Sequence, residues 1–148
     1  MNVKFFLDTN VIVYAFARSF PEKAEIAQRL ITDGAADNQT IISYQVVQEF
    51  INVALRGFRL AILKSDLEAF VRTALFPMMA ISSSPALVID ALRLQSANQL
   101  AWYDALIVAS AVQGGCKVLY SEDLQHGRRF GDLLIQNPFL LASSGSNL

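Results

Sequence analysis

The sequence holds one cysteine, one histidine and one tryptophan in 148 residues. The lone cysteine, Cys116, excludes an internal disulfide and favours a reducing, cytoplasmic setting, with the thiol as a small core residue. No apolar run approaches the ~18 residues of a membrane-spanning helix, so no membrane association is expected. An acid at position 8 cuts the N-terminal apolar run short, which disfavours a secretory leader. There is no internal repeat and no linker. Gly114-Gly115 lacks phosphate-loop spacing and reads as a helix stop. A strong excess of charge is missing too: 13 acids face 12 bases, a net charge of −1. That balance argues at first against a polyanionic partner.

What is present describes a globular chain, 53% hydrophobic and 17% charged. Its length suits one domain with a sizeable core. Residues 1–141 are expected to form that domain, with 142–148 a flexible Ser/Gly-rich tail. Val3 to Leu7 reads as a strand, followed by cap residues Asp8-Thr9-Asn10 and a helix over Val11 to Ala17. Pro21 opens a second helix from Glu22 to about Ile31, ending near Gly34. Thr40 to Ser43 is a β-branched strand, and Tyr44 to Arg56 a helix stopped by Gly57. Ser65-Asp66 caps a helix over Leu67 to Leu75, and Pro77 to Ser82 contains a short strand. Ser84-Pro85 starts the helix Ala86 to Asn98. The apolar helix Trp102 to Val112, a strand at Lys117 to Tyr120 and a last strand at Leu133 to Gln136 complete the chain. Short apolar strands alternating with helices predict an α/β fold: a parallel twisted sheet of about four to five short strands, with helices on both faces.

Four acids stand in unusually apolar settings. Asp8 follows the first strand, and Asp123 lies just past the strand Lys117 to Tyr120, so both fall at the carboxyl edge of the sheet, where ligands bind in such folds. Asp104 opens an apolar helix, with Val108 and Ala111 on its face. Glu49 borders a stripe of Val46, Val47, Phe50, Val53 and Ala54. Each has an ordinary reading: a helix cap, a dipole partner, a turn residue, a solvated helix position. Clustered carboxylates without basic partners are costly to bury, and a divalent cation supplies the missing charge. Oxygen ligands without His or Cys suit Mg²⁺ or Mn²⁺ rather than Zn²⁺. Setting these four acids aside leaves nine acids against 12 bases, a mildly basic remainder that permits a polyanion.

The segments Asp8-Thr9-Asn10-Val11, Ser43-Tyr44-Gln45-Val46-Val47-Gln48-Glu49-Phe50, the run around Asp104 and Val118-Leu119-Tyr120-Ser121-Glu122-Asp123 occur in the order seen in PIN-domain ribonucleases. The chain resembles that family, and in particular its VapC-type toxins, from Asp8 to Pro138. The resemblance implies that Asp8, Glu49, Asp104 and Asp123 hold Mg²⁺ or Mn²⁺, and that Thr9, Asn10 and Ser121 support them. It implies hydrolysis of RNA to 5′-phosphate and 3′-hydroxyl products, a homodimer, and a small antitoxin covering the site. Leu124-Gln125-His126-Gly127 departs from the commonest form of the last motif, so Glu122 remains open as a sharer of Asp123's role.

Basic residues outside the motifs are candidate RNA contacts: Arg56 and Arg59 after the Glu49 helix, and the pair Arg128-Arg129. His126 reads as an exposed loop residue, and Trp102-Tyr103 as core or partner contacts ahead of base-stacking platforms. Two other functions compete. One is a PIN fold kept as a catalytically silent binding module. The other is a haloacid-dehalogenase-like phosphatase, which wants a second aspartate two residues after Asp8, where this chain has Asn10. Partner binding is also expected from two apolar helix sets, Ala24, Ile26, Ala27, Leu30 and Ile31, and Leu67, Phe70, Val71, Ala74 and Leu75.

Overall fold

A computed structural model describes residues 3–56 and 60–140 of the chain. The strands are Phe5–Leu7 (β1), Thr40–Ser43 (β2), Met79–Ile81 (β3), Val118–Tyr120 (β4), Arg129–Phe130 (β5) and Leu133–Gln136 (β6). The helices are Thr9–Tyr14 (α1), Pro21–Asp37 (α2), Tyr44–Arg56 (α3), Lys64–Phe70 (α4), Phe76–Met78 (α5), Pro85–Asn98 (α6) and Trp102–Gln113 (α7). One six-stranded sheet has the order β3-β2-β1-β4-β6-β5. Every pairing is parallel except that of β5 with β6.

Consecutive strand residues point to opposite faces. Phe6 and Leu7 of β1 are both buried, so both faces of the central strand are covered. This explains why the strands read as short apolar runs without alternation. The sheet has one strand more than the upper expectation. The extra one, β5, is two residues long and gives no periodicity to read.

Several boundaries differ from the sequence expectation. Helix α1 spans Thr9–Tyr14 instead of Val11 to Ala17, because Asp8 alone is its cap and Thr9 and Asn10 already lie in its first turn. Helix α2 runs through Gly34 to Asp37 and ends at Asn38, which adopts the left-handed conformation (φ 59°) of a helix C-terminus. Gly34 is not a stop but a point of close approach: a Cβ there would stand 2.5 Å from the Cβ and Oγ1 of Thr40. Helix α4 starts at Lys64 without a side-chain cap, so Ser65 and Asp66 lie inside it. It continues through a π-helical turn, Val71–Leu75, in which the Phe76 N–H bonds back to the Val71 carbonyl. The wider turn makes room for Pro77, whose ring would otherwise meet the carbonyl four residues earlier. The stop expected at Gly57 lies outside the described residues, as do Arg59 and the 142–148 tail.

The apolar sets assigned to a partner are largely consumed by the chain's own core. Ala27, Ile31, Leu67, Val71 and Leu75 are buried in it, and Phe70 packs edge-to-face with Phe16 and tilted against Phe50. A cleft of about 470 Å³ remains beside Phe16, Ala24, Ile31 and Phe70. Among the described residues no helix is long and apolar enough to cross a membrane.

Candidate active site

The chain runs outward from β1 to β2 and β3, then returns to place β4 on the other side of β1. The gap between β1 and β4 is therefore the point where strand order reverses, and the crevice at its carboxyl end is the favoured ligand site of such sheets. The Asp8 N–H donates to the Tyr120 carbonyl at 3.0 Å, tying the ends of the two strands together. Asp8 itself, and the loop Ser121–Asp123, follow directly.

Asp8 is the N-cap of α1, so the ordinary reading of this residue is correct as far as it goes: its Oδ1 accepts from the Thr9 N–H at 2.7 Å. The cap needs one oxygen. The other, Oδ2, accepts from the Ser121 hydroxyl at 2.8 Å and the Asn10 amide at 3.2 Å. Only 6% of Asp8 is exposed. Burial pushes its carboxyl from an ordinary 3.8 up to about 6; the Ser121 and Thr9 hydrogen bonds pull it down, and the charges of Glu49 and Asp123 raise it further.

Glu49 reaches the same crevice from α3. Its Oε1 accepts from the Thr9 hydroxyl at 3.2 Å and from the Gln45 amide at 3.0 Å. Asp123 accepts from the second contact of the Asn10 amide, also at 3.2 Å. Asn10 thus lies between Asp8 and Asp123 and donates to both. Asp104, in the first turn of α7, is raised by burial and then by the charge of Asp123. Electrostatically the four acids form one connected group. Among the described residues, no lysine or arginine is hydrogen-bonded to or ion-paired with any of them.

Glu122 is engaged elsewhere. Its Oε1 accepts from the Tyr14 hydroxyl at 2.6 Å and its Oε2 pairs with Lys23 at 2.7 Å. Lys23 in turn sits 4.7 Å from the Tyr14 ring centre, with Phe20 and Phe139 close by. The Glu122 N–H donates to Asn10 Oδ1 at 3.1 Å. So Asn10 holds the loop through its oxygen while its nitrogen bridges the acids. Sequence reasoning missed Tyr14, Lys23 and Gln45. The spacings Asn10–Tyr14 and Gln45–Glu49 are both i,i+4 and offered a signal; nothing in the sequence links Lys23 to Glu122.

The basic candidates lie apart from this cluster's contacts. Arg128 is spent on the end of α6, donating to the Asn98 carbonyl and side chain at 3.3 Å and covering the Phe130 ring. Arg129 is exposed on β5, and Arg56 is exposed at the end of α3. His126 is exposed, and its Nδ1 accepts from the Asn137 N–H.

Among the described residues, no three His, Cys, Asp or Glu side chains are gathered tightly enough to cage an ion as they stand. The donor set nevertheless suits Mg²⁺ or Mn²⁺. Mg²⁺ keeps several waters and asks for only one or two carboxylates. Asp8 and Asp123 already share one N–H donor, and the buried Asp8 carries an uncompensated cost that a cation removes.

A family model described as PIN domain matches residues 5–130. No curated protein sequence matches the chain directly. Among solved structures, a toxin–antitoxin complex from Klebsiella pneumoniae is similar with a TM-score of 0.63 and 18% identity, over 91% of this chain and 98% of that one. VapC20 of Mycobacterium tuberculosis, a Sarcin-Ricin loop cleaving toxin, follows at TM-score 0.59 and 16% identity, over 81% and 90%. FitAcB from Neisseria gonorrhoeae gives TM-score 0.56 and 18% identity, over 91% and 98%. The match over most of its length means that the chain belongs to the PIN domain family, whose members are generally nucleases.

Proposed function

We propose that this protein is a Mg²⁺- or Mn²⁺-dependent endoribonuclease, acting as the toxin of a toxin–antitoxin pair in the cytoplasm. The observation that carries the reading is the buried Asp8 at the β1–β4 crevice, held above the ordinary carboxylate range and joined through Asn10 to Asp123. Asp8, Asp104 and Asp123 would hold the metal, and Glu49 would take part directly or through a water. When bound, the cation supplies an acidified water and positive charge against the phosphate oxygens. The protein's own groups do the positioning. Ser121 and Asn10 fix the Asp8 carboxylate. Thr9 and Gln45 both engage Glu49 Oε1, which leaves Oε2 to accept from a water. Hydrolysis joins the water oxygen to phosphorus, breaks the bond to the 3′ oxygen and returns a proton to it.

Asn10 also weighs against the phosphatase reading. That chemistry wants a second acid at this position, and Asn10 presents a donor to Asp8. The antitoxin expectation draws support from the toxin–antitoxin neighbour, and the cleft beside Phe16 and Phe70 offers an antitoxin an apolar seat; the homodimer rests on the family resemblance alone. Incubation with single-stranded RNA in Mn²⁺, in EDTA, and with Asp8→Asn tests the central claim. Metal-dependent cutting lost in the variant supports it; metal binding without cutting leaves the silent binding module. Light scattering tests the dimer, with a mass near 16.3 kDa counting against it. Co-expression with the adjacent small gene tests the antitoxin.

A further inference from the structure

A second cleft, of about 570 Å³, opens at the carboxyl ends of β2 and β3, against α7. It adjoins the acid cluster. Gln45 lines it, and the same amide nitrogen that bonds Glu49 also donates to the Tyr103 carbonyl at 3.2 Å. Tyr103 immediately precedes Asp104. The cleft thus begins where the Glu49 and Asp104 side of the active site ends.

Its chemistry is distinctive. No lysine, arginine, aspartate or glutamate lines it, so it is not a phosphate site. Ile81, Leu87 and Leu106 supply apolar surface. Two tyrosines stand at it with large exposed areas, Tyr103 at 65% and Tyr44 at 41%. The Ser43 and Ser110 hydroxyls are spent within the protein, accepting from the Val46 N–H and donating to the Leu106 carbonyl. Gln48, Ser82 and Ser83 line the cleft too, and among the described residues their side chains make no hydrogen bond. An uncharged cleft of this volume, with aromatic surfaces and free amide and hydroxyl groups, has the composition of a small-molecule-sized polar and apolar site. The exposed apolar residues Val88, Ile89 and Leu92 of α6 are not part of the lining, so the apolar surface a second copy would seek lies elsewhere.

We infer that this cleft receives an unpaired base of a single-stranded RNA, from a nucleotide adjacent to the scissile phosphate. The inference rests on the nuclease reading for which phosphate is cut, but base binding itself can be measured without cutting. Every base has a π-face that an exposed tyrosine ring can stack on, and a polar edge that Gln48, Ser82 and Ser83 can meet with donors and acceptors. The two backbone neighbours of the scissile phosphate then lie on differently built ground: neutral and aromatic toward Tyr103, polar toward Asn10 and Ser121. Tyr103, exposed on the first turn of α7, is thereby a base platform, where the sequence reading put a core or partner contact first.

The test uses fluorescence anisotropy with the full chain carrying Asp8→Asn, so that RNA is bound but not cut. The probes are a labelled single-stranded RNA 10-mer and an abasic ribose-phosphate strand of equal length and charge. The base-bearing strand is expected to bind about tenfold tighter. Tyr103→Ala should abolish that preference, and Tyr103→Phe should keep it. Equal binding of the two probes, or unchanged preference in Tyr103→Ala, overturns the inference. A change of oligomeric state in Tyr103→Ala, seen by light scattering, also overturns it in favour of a contact between copies. The two readings fail separately. A chain with native Asp8 that prefers the base-bearing strand yet never cuts RNA loses the nuclease function and keeps the cleft. One that cuts with the same KM when Tyr103 is alanine loses the cleft and keeps the function.

Discussion

Replacing Asp8 by asparagine should make the metal-free protein more stable while ending its activity. The carboxyl titrates near 3.8 in an open chain and near 6 in the folded one. A rise of about two pH units corresponds to roughly 3 kcal/mol at ~1.4 kcal/mol per unit. Because the folded value is the higher, the penalty applies in full above pH 6. It fades as pH falls from 6 towards 3.8, below which both states are protonated. Asparagine has no charge to bury and keeps the Oδ1 cap on the Thr9 N–H. It replaces Oδ2, which accepts from Ser121 and Asn10, with a donor. Ser121 can turn and accept, but Asn10 then meets a donor, a loss of about 1 kcal/mol. The net expectation is a gain of about 2 kcal/mol at pH 7.5 in EDTA, seen as a rise of about 4–8 °C in Tm. The gain should vanish at pH ~4.5 and become a slight loss by pH 4, as the relieved penalty falls below the ~1 kcal/mol hydrogen-bond cost. Saturating Mg²⁺ should stabilise the parent and leave the variant unmoved. Thermal melts of both proteins at pH 7.5 and pH 4, with and without metal, supply the four comparisons. A variant that melts below its parent in EDTA at pH 7.5 would refute the reasoning, since Asp8 would then be a structural cap and no more.

Cleavage should vanish in EDTA and return with Mg²⁺ or Mn²⁺, while Ca²⁺ binds and supports little turnover; RNA cutting followed on a gel at fixed ionic strength decides this. Asp123→Asn should lower the rate by more than the ~10–100-fold typical of a supporting group. Glu122→Gln should stay within about threefold of the parent and lose under ~1 kcal/mol of stability, because its ion pair with Lys23 is partly exposed. The opposite ranking in single-turnover kinetics would exchange their roles. Gly34→Ala should destabilise by up to about 2 kcal/mol in urea melts, because ~1–3 kcal/mol of overpacking opposes ~1 kcal/mol of helix propensity. Thr40→Ala should not rescue it, because the Thr40 Cβ itself lies 2.5 Å from the added methyl.

Most of the fold was legible because its signals are local. β1, β2, β4 and β6 are short apolar runs bounded by cap residues, and Ser84-Pro85 marks the start of α6 with a hydroxyl that accepts from the Leu87 N–H. The misread boundaries share a cause. A glycine reads as a helix stop because of its conformational freedom, but Gly34 is needed for the missing side chain that lets α2 touch β2, a fact set by a strand not yet formed in the local text. Likewise Ser65-Asp66 has the look of a cap, yet α4 begins one residue earlier, where Leu67 can still reach the core. Arg128 read as free for phosphate, but the end of α6 claims it.

The site was legible in composition and illegible in its wiring. Asp8, Glu49, Asp104 and Asp123 each stood out as a carboxylate in apolar text; the parallel pairing of β1 and β4 sets Asp8 and Asp123 at one crevice, while Glu49 and Asp104 come to it from α3 and α7. What separates adjacent Glu122 from Asp123 is not in that text. Lys23 and Tyr14 saturate the first, while the second is left with the Asn10 amide that also serves Asp8. An acid already balanced by a lysine gains little from a cation; an acid sharing one neutral donor with another carboxylate gains much. The same comparison identifies the work of Asn10. With its oxygen on the Glu122 N–H and its nitrogen between Asp8 and Asp123, it holds the loop in register with α1 while keeping two like charges at a workable distance. On the proposed metal-dependent reading, a cation in the crevice would take over the second task and leave the first to the asparagine.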